Sequence, residues 1–365
     1  MTNQQVTVGS DTRLFTFRSG GWVLLAAAFC SLFILVWALR GVFTREPPIG
    51  NGRDVATYNF DLASCNIPQN EIIAGGLAKD VLVAMVNPPT MPGSGIVELN
   101  SDIHYGKYLV TKDLVIGVTV NGESRGYPMQ ILTCHEIVND TLGGKPIVVT
   151  YNPLCDSVVV FERNVDGETL EFGVSGLLYN SNILMFDRKE NAVGESLWSQ
   201  LLGRAVAGPA AESGKKLKVL PAARLHWGEW LEAHPQSTVL ALDLSMVKRY
   251  QETSYHSYFT SSKLMFEVKP PPPTDGLPVK QRLLIVDTPD GRRVYPLTWI
   301  SDQADDSGRW TDTTLSTPID FICSKDPLAV FIDQSSDNNT INVRYAMWFA
   351  WHAMYPEDVP LGNDG

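Results

Sequence analysis

Side chains that can do chemistry are concentrated between Gly126 and Trp198. Three segments carry cysteine, histidine, carboxylate, amide and hydroxyl groups at close spacing, and they span residues 126–140, 150–157 and 174–182. Thiols and imidazoles serve as nucleophiles, metal ligands or proton carriers, whereas amides and hydroxyls orient polar ligands. If the protein has an active or ligand site, we expect it in this stretch.

Cys155 and His135 are the two candidate catalytic residues. Imidazole is the side chain type that can act as an acid or a base near neutral pH, and the thiol of Cys155 is expected in a polar turn, where a thiol is accessible. Together they could form the activated thiolate of a Cys/His-dependent enzyme. The structural alternatives are a histidine satisfied within its helix and a cysteine that is a small turn residue or half of a disulfide.

Cys134 precedes His135 and supplies a second thiol. If their helix packs across the end of the following strand pair, Cys134, His135 and Cys155 would form a mixed sulfur and imidazole set suited to copper or zinc. The same approach would instead allow a disulfide between Cys134 and Cys155. The spacing matches no recognised metal motif, so both alternatives stay open.

A further group of polar residues predicts a ligand pocket. Segment 174–182 is denser in hydrogen-bonding groups than an ordinary strand, and its Gly176 permits close backbone approach. The structural alternative is a turn in which asparagine and serine side chains satisfy local backbone groups. The candidate ligand-binding residues are Tyr179, Asn180, Asn182, Glu136 and Ser157.

The elements that must position these groups are short β-branched runs separated by turn signals, which predict an α+β fold that is mainly β with short helices. Residues 113–120 and Asn121-Gly122 predict a strand and a hairpin turn. Pro128 can open a helix that continues to Asn139 and stops at Gly143-Gly144. Residues 147–151 and 158–162 predict paired strands, so Cys155 falls in the turn between them.

An internal repeat indicates two related β-rich halves. The segment around Tyr127-Pro128 recurs around Tyr295-Pro296, and several downstream residues recur in order at nearly the same spacing. This predicts a first half at 61–268, a proline-rich connector at 269–275 and a second half at 276–365. A chance recurrence of a strand, turn and Tyr-Pro motif is the alternative. The second copy has no counterpart of His135, so the candidate chemistry belongs to the first half.

The N-terminal region predicts a membrane anchor. Residues 20–39 form an uncharged, apolar run closed by Arg40, and about 20 residues suffice to cross a bilayer. Because no small-residue cleavage site follows, we expect a retained signal anchor at 20–40, between a tail at 1–19 and a polar linker at 41–60. This order favours a single-pass protein of the cell membrane whose bulk is extracytoplasmic, in the bacterial periplasm.

Charge and absent motifs exclude several classes of function. The formal net charge of -11, without a clustered basic surface, argues against nucleic acid as a partner. The sequence carries no glycine-rich phosphate loop, dinucleotide fingerprint, His-Glu-x-x-His motif or Cys-x-x-Cys-His haem site. Nucleotide cofactors and covalent c-type haem are therefore not expected.

Further landmarks follow the polar segments in a fixed order: Asp187-Arg188, Trp227-Gly-Glu-Trp230, His234-Pro235 and Trp348-Phe-Ala-Trp351. With Ile73-Ala-Gly-Gly-Leu-Ala-Lys-Asp80 before them, they resemble the bacterial family known as domain of unknown function 3179. The resemblance covers roughly residues 70 to 360 and implies a domain without a known reaction. The family usually has Cys-Pro-Leu-Cys-Gly where this chain has Asn152-Pro-Leu-Cys155-Asp156, so the two-cysteine pair is broken here.

The expected function is a membrane-anchored extracytoplasmic domain that binds a metal or a small polar ligand through Cys, His, Tyr and Asn side chains. The alternatives are a Cys/His-dependent extracytoplasmic enzyme and a structural accessory subunit of a membrane complex. Bound metal would favour the first of these functions, and an unusually acidic free thiol would favour the enzyme.

Overall fold

The computed structural model describes residues 21–43, 48–102, 106–333 and 341–362. The chain forms two compact units, Met1–Pro48 and Ile49–Gly365. In the first unit, α1 spans Gly21–Phe43, and its described side chains, at residues 22–37, are exposed and mostly apolar. Within the ranges given above, no helix is both long enough and apolar enough for a membrane crossing. The tail predicted at 1–19 lies outside the described residues.

The second unit consists mainly of strands, which confirms the predicted α+β, mainly β class. In chain order the strands are β1 (Ile72–Ala74), β2 (Met85–Val86), β3 (Thr90–Pro92), β4 (Leu114–Val120), β5 (Glu123–Pro128), β6 (Ile137–Leu142), β7 (Lys145–Asn152), β8 (Ser157–Glu162), β9 (Asn164–Val165), β10 (Glu168–Thr169), β11 (Phe172–Tyr179), β12 (Asn182–Asp187), β13 (Leu197–Ser199), β14 (Arg204–Ala207), β15 (Lys218–Leu220), β16 (Ala223–His226), β17 (Thr238–Leu240), β18 (Arg282–Thr288), β19 (Gly291–Pro296), β20 (Arg309–Asp312), β21 (Ile319–Ser324), β22 (Ala329–Ile332) and β23 (Asn342–Met347).

The helices of the second unit are short. In chain order they are α2 (Ile96–Asp102), α3 (Met129–His135), α4 (Pro209–Glu212), α5 (Trp227–Ala233), α6 (Val247–Glu252), α7 (His256–Thr260), α8 (Leu297–Gln303) and α9 (Trp348–Met354). Single turns of 3-10 helix occur at Val55–Tyr58, Gln69–Glu71, Gly93–Gly95 and Glu190–Ala192.

The described strands form five sheets. The largest has the order β19-β18-β23-β8-β7-β6-β2, with β15 also paired to β8. Two five-stranded sheets follow the orders β1-β11-β12-β13-β14 and β16-β4-β5-β17-β3. A three-stranded sheet has the order β20-β21-β22, and β9 pairs with β10. Pairing is antiparallel except between β5 and β17 and between β2 and β6.

The first half begins with the hairpin that the sequence predicts. β4 and β5 pair antiparallel, and both residues of the Asn121-Gly122 turn have positive φ, at 48° and 84°. α3 starts after Pro128 as expected, but it ends at His135 rather than at Asn139. The reason is that Glu136 takes a φ of 58°, which ends the helix, and the β-branched residues after it form β6.

The two Tyr-Pro dipeptides occupy equivalent places. Each ends the second strand of a hairpin, β4–β5 or β18–β19, and each is followed at once by a seven-residue helix, α3 or α8. The hydroxyl of Tyr127 donates to Asp140 and that of Tyr295 donates to Asp312, in both cases over 2.7 Å. The two segments therefore share the same order of hairpin, Tyr-Pro dipeptide, helix and tyrosine–carboxylate hydrogen bond.

The tryptophan pairs extend the correspondence. β16 pairs with β4 and leads into α5, just as β23 pairs with β18 and leads into α9. Trp227 and Trp230 lie on α5, and Trp348 and Trp351 lie at the same positions of α9. The sequence repeat alone did not reveal this match, because little besides the tryptophans is common to the two segments.

The two segments predicted as halves share one sheet and lie in one compact unit. β23 of the second half pairs with β18 and also with β8 of the first half. The connector predicted at 269–275 is fixed where it begins, because the Asn180 side chain donates to the Lys269 carbonyl at 3.0 Å and accepts from its backbone N–H at 2.8 Å. These two hydrogen bonds hold Lys269, the first residue of the connector, against the turn between β11 and β12.

The second part of the predicted linker at 41–60 is packed, which corrects that prediction. Gly50, Gly52 and Tyr58 are buried, and Tyr58 belongs to a hydrophobic cluster with Leu177. Gly50 lies directly against the Tyr58 ring, so that a side chain at this position would collide with it. The glycines therefore allow close packing, which their turn-like composition did not reveal. Residues 44–47 lie outside the described residues.

Candidate functional site

Three of the predicted site residues meet in a buried polar network. Asn182 donates from Nδ2 to Cys155 Sγ at 3.3 Å and to Ser157 Oγ at 3.2 Å. Gln200 joins them, since its Oε1 accepts from Ser157 at 2.6 Å and from Asn182 at 2.7 Å. Its Nε2 donates to Thr150 Oγ1 at 2.9 Å. All five side chains are fully buried, so the network is sealed between the largest sheet and the β11–β14 sheet.

Burial determines what Cys155 can do. The turn lies between β7 and β8 as predicted, but the side chain packs in a hydrophobic core, so the prediction of an accessible thiol is wrong. Burial raises the pKa of the Cys155 thiol to about 11, despite its hydrogen bonds with Ser157 and Asn182. The thiol is protonated at neutral pH, which does not favour a thiolate nucleophile. Cys155 is a free cysteine, so the proposed disulfide with Cys134 is not formed.

His135 lies apart from this network. Its Nδ1 is 2.7 Å from the carbonyl oxygen of Val83, and its Nε2 is 3.0 Å from the hydroxyl of Tyr250. A carbonyl can only accept, so Nδ1 donates to Val83, and in the neutral imidazole Nε2 then accepts from Tyr250. Both ring nitrogens are therefore engaged, and neither is left to activate a thiol or to bind a metal.

The predicted copper or zinc set is not assembled. The thiol of Cys134 donates to the carbonyl of Arg249 in α6 over 3.8 Å, whereas Cys155 is enclosed in the buried network. α3 thus directs its thiol towards α6 and not towards the β7–β8 turn. Across the part of the chain that the structure describes, no group of three or more His, Cys, Asp or Glu side chains could hold a metal ion.

Glu136 is a buried carboxyl in an unusual backbone conformation. Its φ of 58° is rarely adopted by residues with a side chain, and only 9% of the residue is exposed. Burial raises the pKa of the Glu136 carboxyl to about 8, so the group is mostly protonated at neutral pH. A protonated carboxyl can donate a hydrogen bond to a ligand, but Glu136 lines none of the three cavities described below.

Tyr179 and Asn180 serve the packing of the fold. Tyr179 belongs to the hydrophobic cluster that contains Tyr58. Asn180 binds the backbone of Lys269, and it forms the turn between β11 and β12 with Ser181, since φ is 50° and 59° at these two residues. This is the structural alternative that the sequence left open. The structure does not bring these residues to one pocket with the candidate cysteine and histidine.

Asp156, which the sequence analysis did not select, is the centre of a buried ion cluster. Its Oδ2 accepts from Arg224 Nη1 at 2.9 Å and from Arg282 Nε at 2.6 Å, and its Oδ1 accepts from the Tyr151 hydroxyl at 3.0 Å. Burial alone would raise the pKa of Asp156, but the guanidinium groups of Arg224 and Arg282 outweigh burial and hold it below its ordinary value. Because Arg224 belongs to β16 and Arg282 to β18, this carboxylate joins both halves.

A cavity of about 510 Å³ opens beside the Asp156 cluster, because Arg282 contributes to both. One wall is α7 with the two residues after it, and the other is residues 278–282, which lead into β18, together with the start of α8, Leu328 and the end of β23. We call it the α7–β18 cavity. Its volume falls within the range of about 300 to 1,000 Å³ that is usual for small-molecule sites. No residue of the sequence-predicted site lines it.

Two other cavities are lined by groups of both charges. In one, of about 580 Å³, Arg309 pairs with Asp333 at 3.0 Å, and Glu229 and Glu232 add two more carboxylates. The other, of about 330 Å³, is lined by two ion pairs, which are Lys79 with Glu195 and Arg188 with Asp80. Neither cavity therefore presents charge of a single sign to a ligand.

The fold and the buried polar segments define a β-rich domain that extends over both halves. The family described as protein of unknown function DUF3179 matches residues 97–337, well over half of the chain, and the chain belongs to this family. The match includes every residue of the predicted site and both walls of the α7–β18 cavity except the end of β23. No curated protein and no solved structure matches the chain.

Proposed function

We propose that this protein is a membrane-anchored domain that binds a small organic molecule in the α7–β18 cavity. The observation that carries the proposal is the cavity itself, which has a volume of about 510 Å³ and lies where the two halves meet. Its lining combines six apolar residues with eight polar or charged ones, so it can enclose the body of a ligand and also fix its orientation.

Part of the apolar lining forms a rigid floor for the ligand. Leu297 and Met347 line the cavity and are only 3% and 1% exposed, so both belong to the packed core. The wall opposite is also held in place, since Lys280 donates to the carbonyl of Lys263 at 2.8 Å and its Nζ lies 3.4 Å from the centre of the Tyr258 ring. A preformed site loses little conformational freedom on binding, which favours affinity.

The alternatives have weaker structural support. A Cys/His-dependent enzyme needs a reactive thiol, but Cys155 is buried and protonated at neutral pH. Copper or zinc binding lacks a three-residue group among the residues described. A purely structural accessory subunit of a membrane complex would not use the cavity, so ligand binding separates that alternative from the proposal.

The binding proposal is tested with a variant that fills the cavity. Thr260 lines the cavity and Ser257 does not, although both are exposed residues of α7. Calorimetry on the full-length protein in detergent should detect binding of 2-naphthamide, a neutral probe, to the wild type and to Ser257→Trp. Thr260→Trp should abolish binding while the melting temperature stays unchanged. Equal binding by both variants, or no binding by the wild type, would overturn the proposal.

The anchor is the second part of the proposal. Residues 20–39 carry no charge, and the described side chains of α1 are exposed and mostly apolar. The uncharged run at residues 20–39 has about the length that crosses a bilayer. The order of tail, anchor and domain supports an extracytoplasmic position for the folded unit.

Membrane extraction and a reporter fusion test the anchor. We expect the protein to remain in the membrane fraction after an alkaline wash, and a phosphatase fused after Gly365 to be active. Release of a shortened soluble chain would show that the anchor is cleaved, and an inactive phosphatase on an intact fusion would place the bulk in the cytoplasm.

A further inference from the structure

We infer that the ligand of the α7–β18 cavity is an organic anion, held by Lys280 and Arg282 at one end and by apolar side chains at the other. The inference rests on the proposed function, because it specifies the chemical class of the molecule that the cavity binds. It assigns to this chain a recognition site for a carboxylate or a similar oxyanion on an apolar body.

The charge of the lining is the first argument. Lys280, Arg282 and His256 line the cavity, and the fourteen described lining residues include neither Asp nor Glu. The chain as a whole carries a formal net charge of -11, so an average part of its surface should be rich in carboxylates. A lining with two cations and no carboxylate differs from that average. A cavity of one sign concentrates ligands of the opposite sign.

The second argument is that Arg282 is positioned and still has donors to offer. Its Nε is committed to the buried carboxylate of Asp156 at 2.6 Å, and Arg224 pairs with the same carboxylate. Two guanidinium groups thus share one carboxylate, which leaves the cluster with a net positive charge. The side chain of Arg282 is 36% exposed, and its two terminal nitrogens take no part in the pair with Asp156. Such a fork is suited to a carboxylate or phosphate oxygen.

Lys280 is held in a similar way. Its Nζ donates to the carbonyl oxygens of Tyr258 and Lys263, and an ammonium group has three protons to donate. The third proton has no carbonyl acceptor, and the ammonium group also lies 3.4 Å from the centre of the Tyr258 ring. Since both acceptors are neutral carbonyls, the charge of Lys280 has no anionic partner in the ion pairs of the described structure.

The apolar part of the lining favours an organic anion over an inorganic one such as phosphate. Phe259, Leu297 and Met347 line the same cavity, and an ion surrounded by water gains nothing from them. An organic anion instead places its charged group near the two cations and its apolar body on this floor. Burial of that body adds the larger share of affinity.

The test uses three probes of one shape and different charge, namely 2-naphthoate, 2-naphthamide and 2-naphthylmethylamine. On the full-length wild type in detergent at pH 7, we expect 2-naphthoate to bind at least threefold more tightly than 2-naphthamide, and 2-naphthylmethylamine to bind most weakly. A charge interaction over about 7 Å in a partly hydrated site corresponds to a change of about threefold or more. The order should be measured by calorimetry at low and high salt, and the preference should shrink in high salt.

A matched pair of variants tests the same point within the protein. Ser262 is exposed and lines the cavity, so Ser262→Asp adds a negative charge there, whereas Ser262→Asn adds a neutral side chain of the same shape. We expect Ser262→Asp to bind 2-naphthoate at least threefold more weakly than Ser262→Asn, and to bind 2-naphthamide equally well.

The outcomes separate this inference from the proposed function. If 2-naphthamide binds in the cavity as tightly as 2-naphthoate, or if the two Ser262 variants bind 2-naphthoate alike, the anion inference is overturned and the binding proposal stands. Tightest binding of 2-naphthylmethylamine also overturns it. If none of the three probes binds, both proposals are overturned.

Discussion

Replacing Asp156 by asparagine should destabilise the protein by about 3–5 kcal/mol, the usual cost of leaving a buried charge without its partner. Arg224 accounts for most of this loss, because its side chain is 8% exposed and would keep its charge inside the fold. Arg282 adds little, since its 36% exposed side chain can turn towards water. Asparagine tolerates the φ of 47° at this position, so backbone strain does not contribute to the change.

The assay is guanidinium unfolding of the full-length protein in detergent, followed by tryptophan fluorescence. The control is Glu252→Gln, which removes an exposed ion pair with Lys248 and should change the free energy of unfolding by no more than about 0.5 kcal/mol. A loss below about 1 kcal/mol for Asp156→Asn, or a loss equal to that of the control, would refute the role of the cluster.

The pH dependence gives an independent check on Asp156. Its pKa is lower in the folded protein than the ordinary value of 3.8, so its contribution to stability is fully present above pH 3.8. The difference between the wild type and Asp156→Asn should therefore stay constant between pH 5 and 7 and shrink below about pH 3.8. A difference that shrinks already at pH 6 would contradict a lowered pKa.

Three further predictions follow from single residues. Burial raises the pKa of Glu136 to about 8, so the contribution of this residue to protein stability should be lost as pH rises from about 4.5 to 8. Glu136→Gln should therefore have the melting temperature of the wild type at pH 4.5 and a higher one at pH 8. Equal pH profiles of the two proteins would contradict this. Gly117→Ala should cost about 1–3 kcal/mol in urea unfolding, because the added methyl group overlaps the Trp230 ring, and an unchanged midpoint would show that the strand can shift. In the native state, Cys155 should react with a thiol reagent far more slowly than the half-buried Cys65, as followed by peptide mass spectrometry; comparable rates would show that the turn opens.

Local sequence signals predicted local structure well. The Asn121-Gly122 turn fixed the β4–β5 hairpin, because few residue pairs accept positive φ at both positions. The Tyr-Pro dipeptides marked the end of a hairpin and the start of a helix in both halves, since proline suits the first turn of a helix and cannot extend a strand. The predicted length of α3 was wrong because the positive φ of one residue, Glu136, ends the helix although the spacing of apolar residues around it is helical.

Contacts between residues far apart in the sequence determine how the predicted site residues are arranged, and residue spacing along the chain does not reveal these contacts. Cys155 was expected to be accessible because its turn is polar, yet Asn182 and Gln200 from other strands close over it. Asp156 finds its partners Arg224 and Arg282 at separations of 68 and 126 residues. Asp156 has a φ of 47°, which suits the glycine that the family usually has at this position. An Asp in place of that glycine was the one signal in the sequence that could have pointed to the buried ion cluster.

Hydrogen exchange of the full-length protein with and without 2-naphthoate tests the central claim most directly, because it shows where a ligand binds. The account predicts slower exchange in residues 256–262 and 278–282 and at the start of α8, which together form the walls of the α7–β18 cavity. Slower exchange confined to the 580 Å³ cavity that contains Arg309 and Asp333, or no change in any peptide at a saturating concentration of the probe, would contradict it.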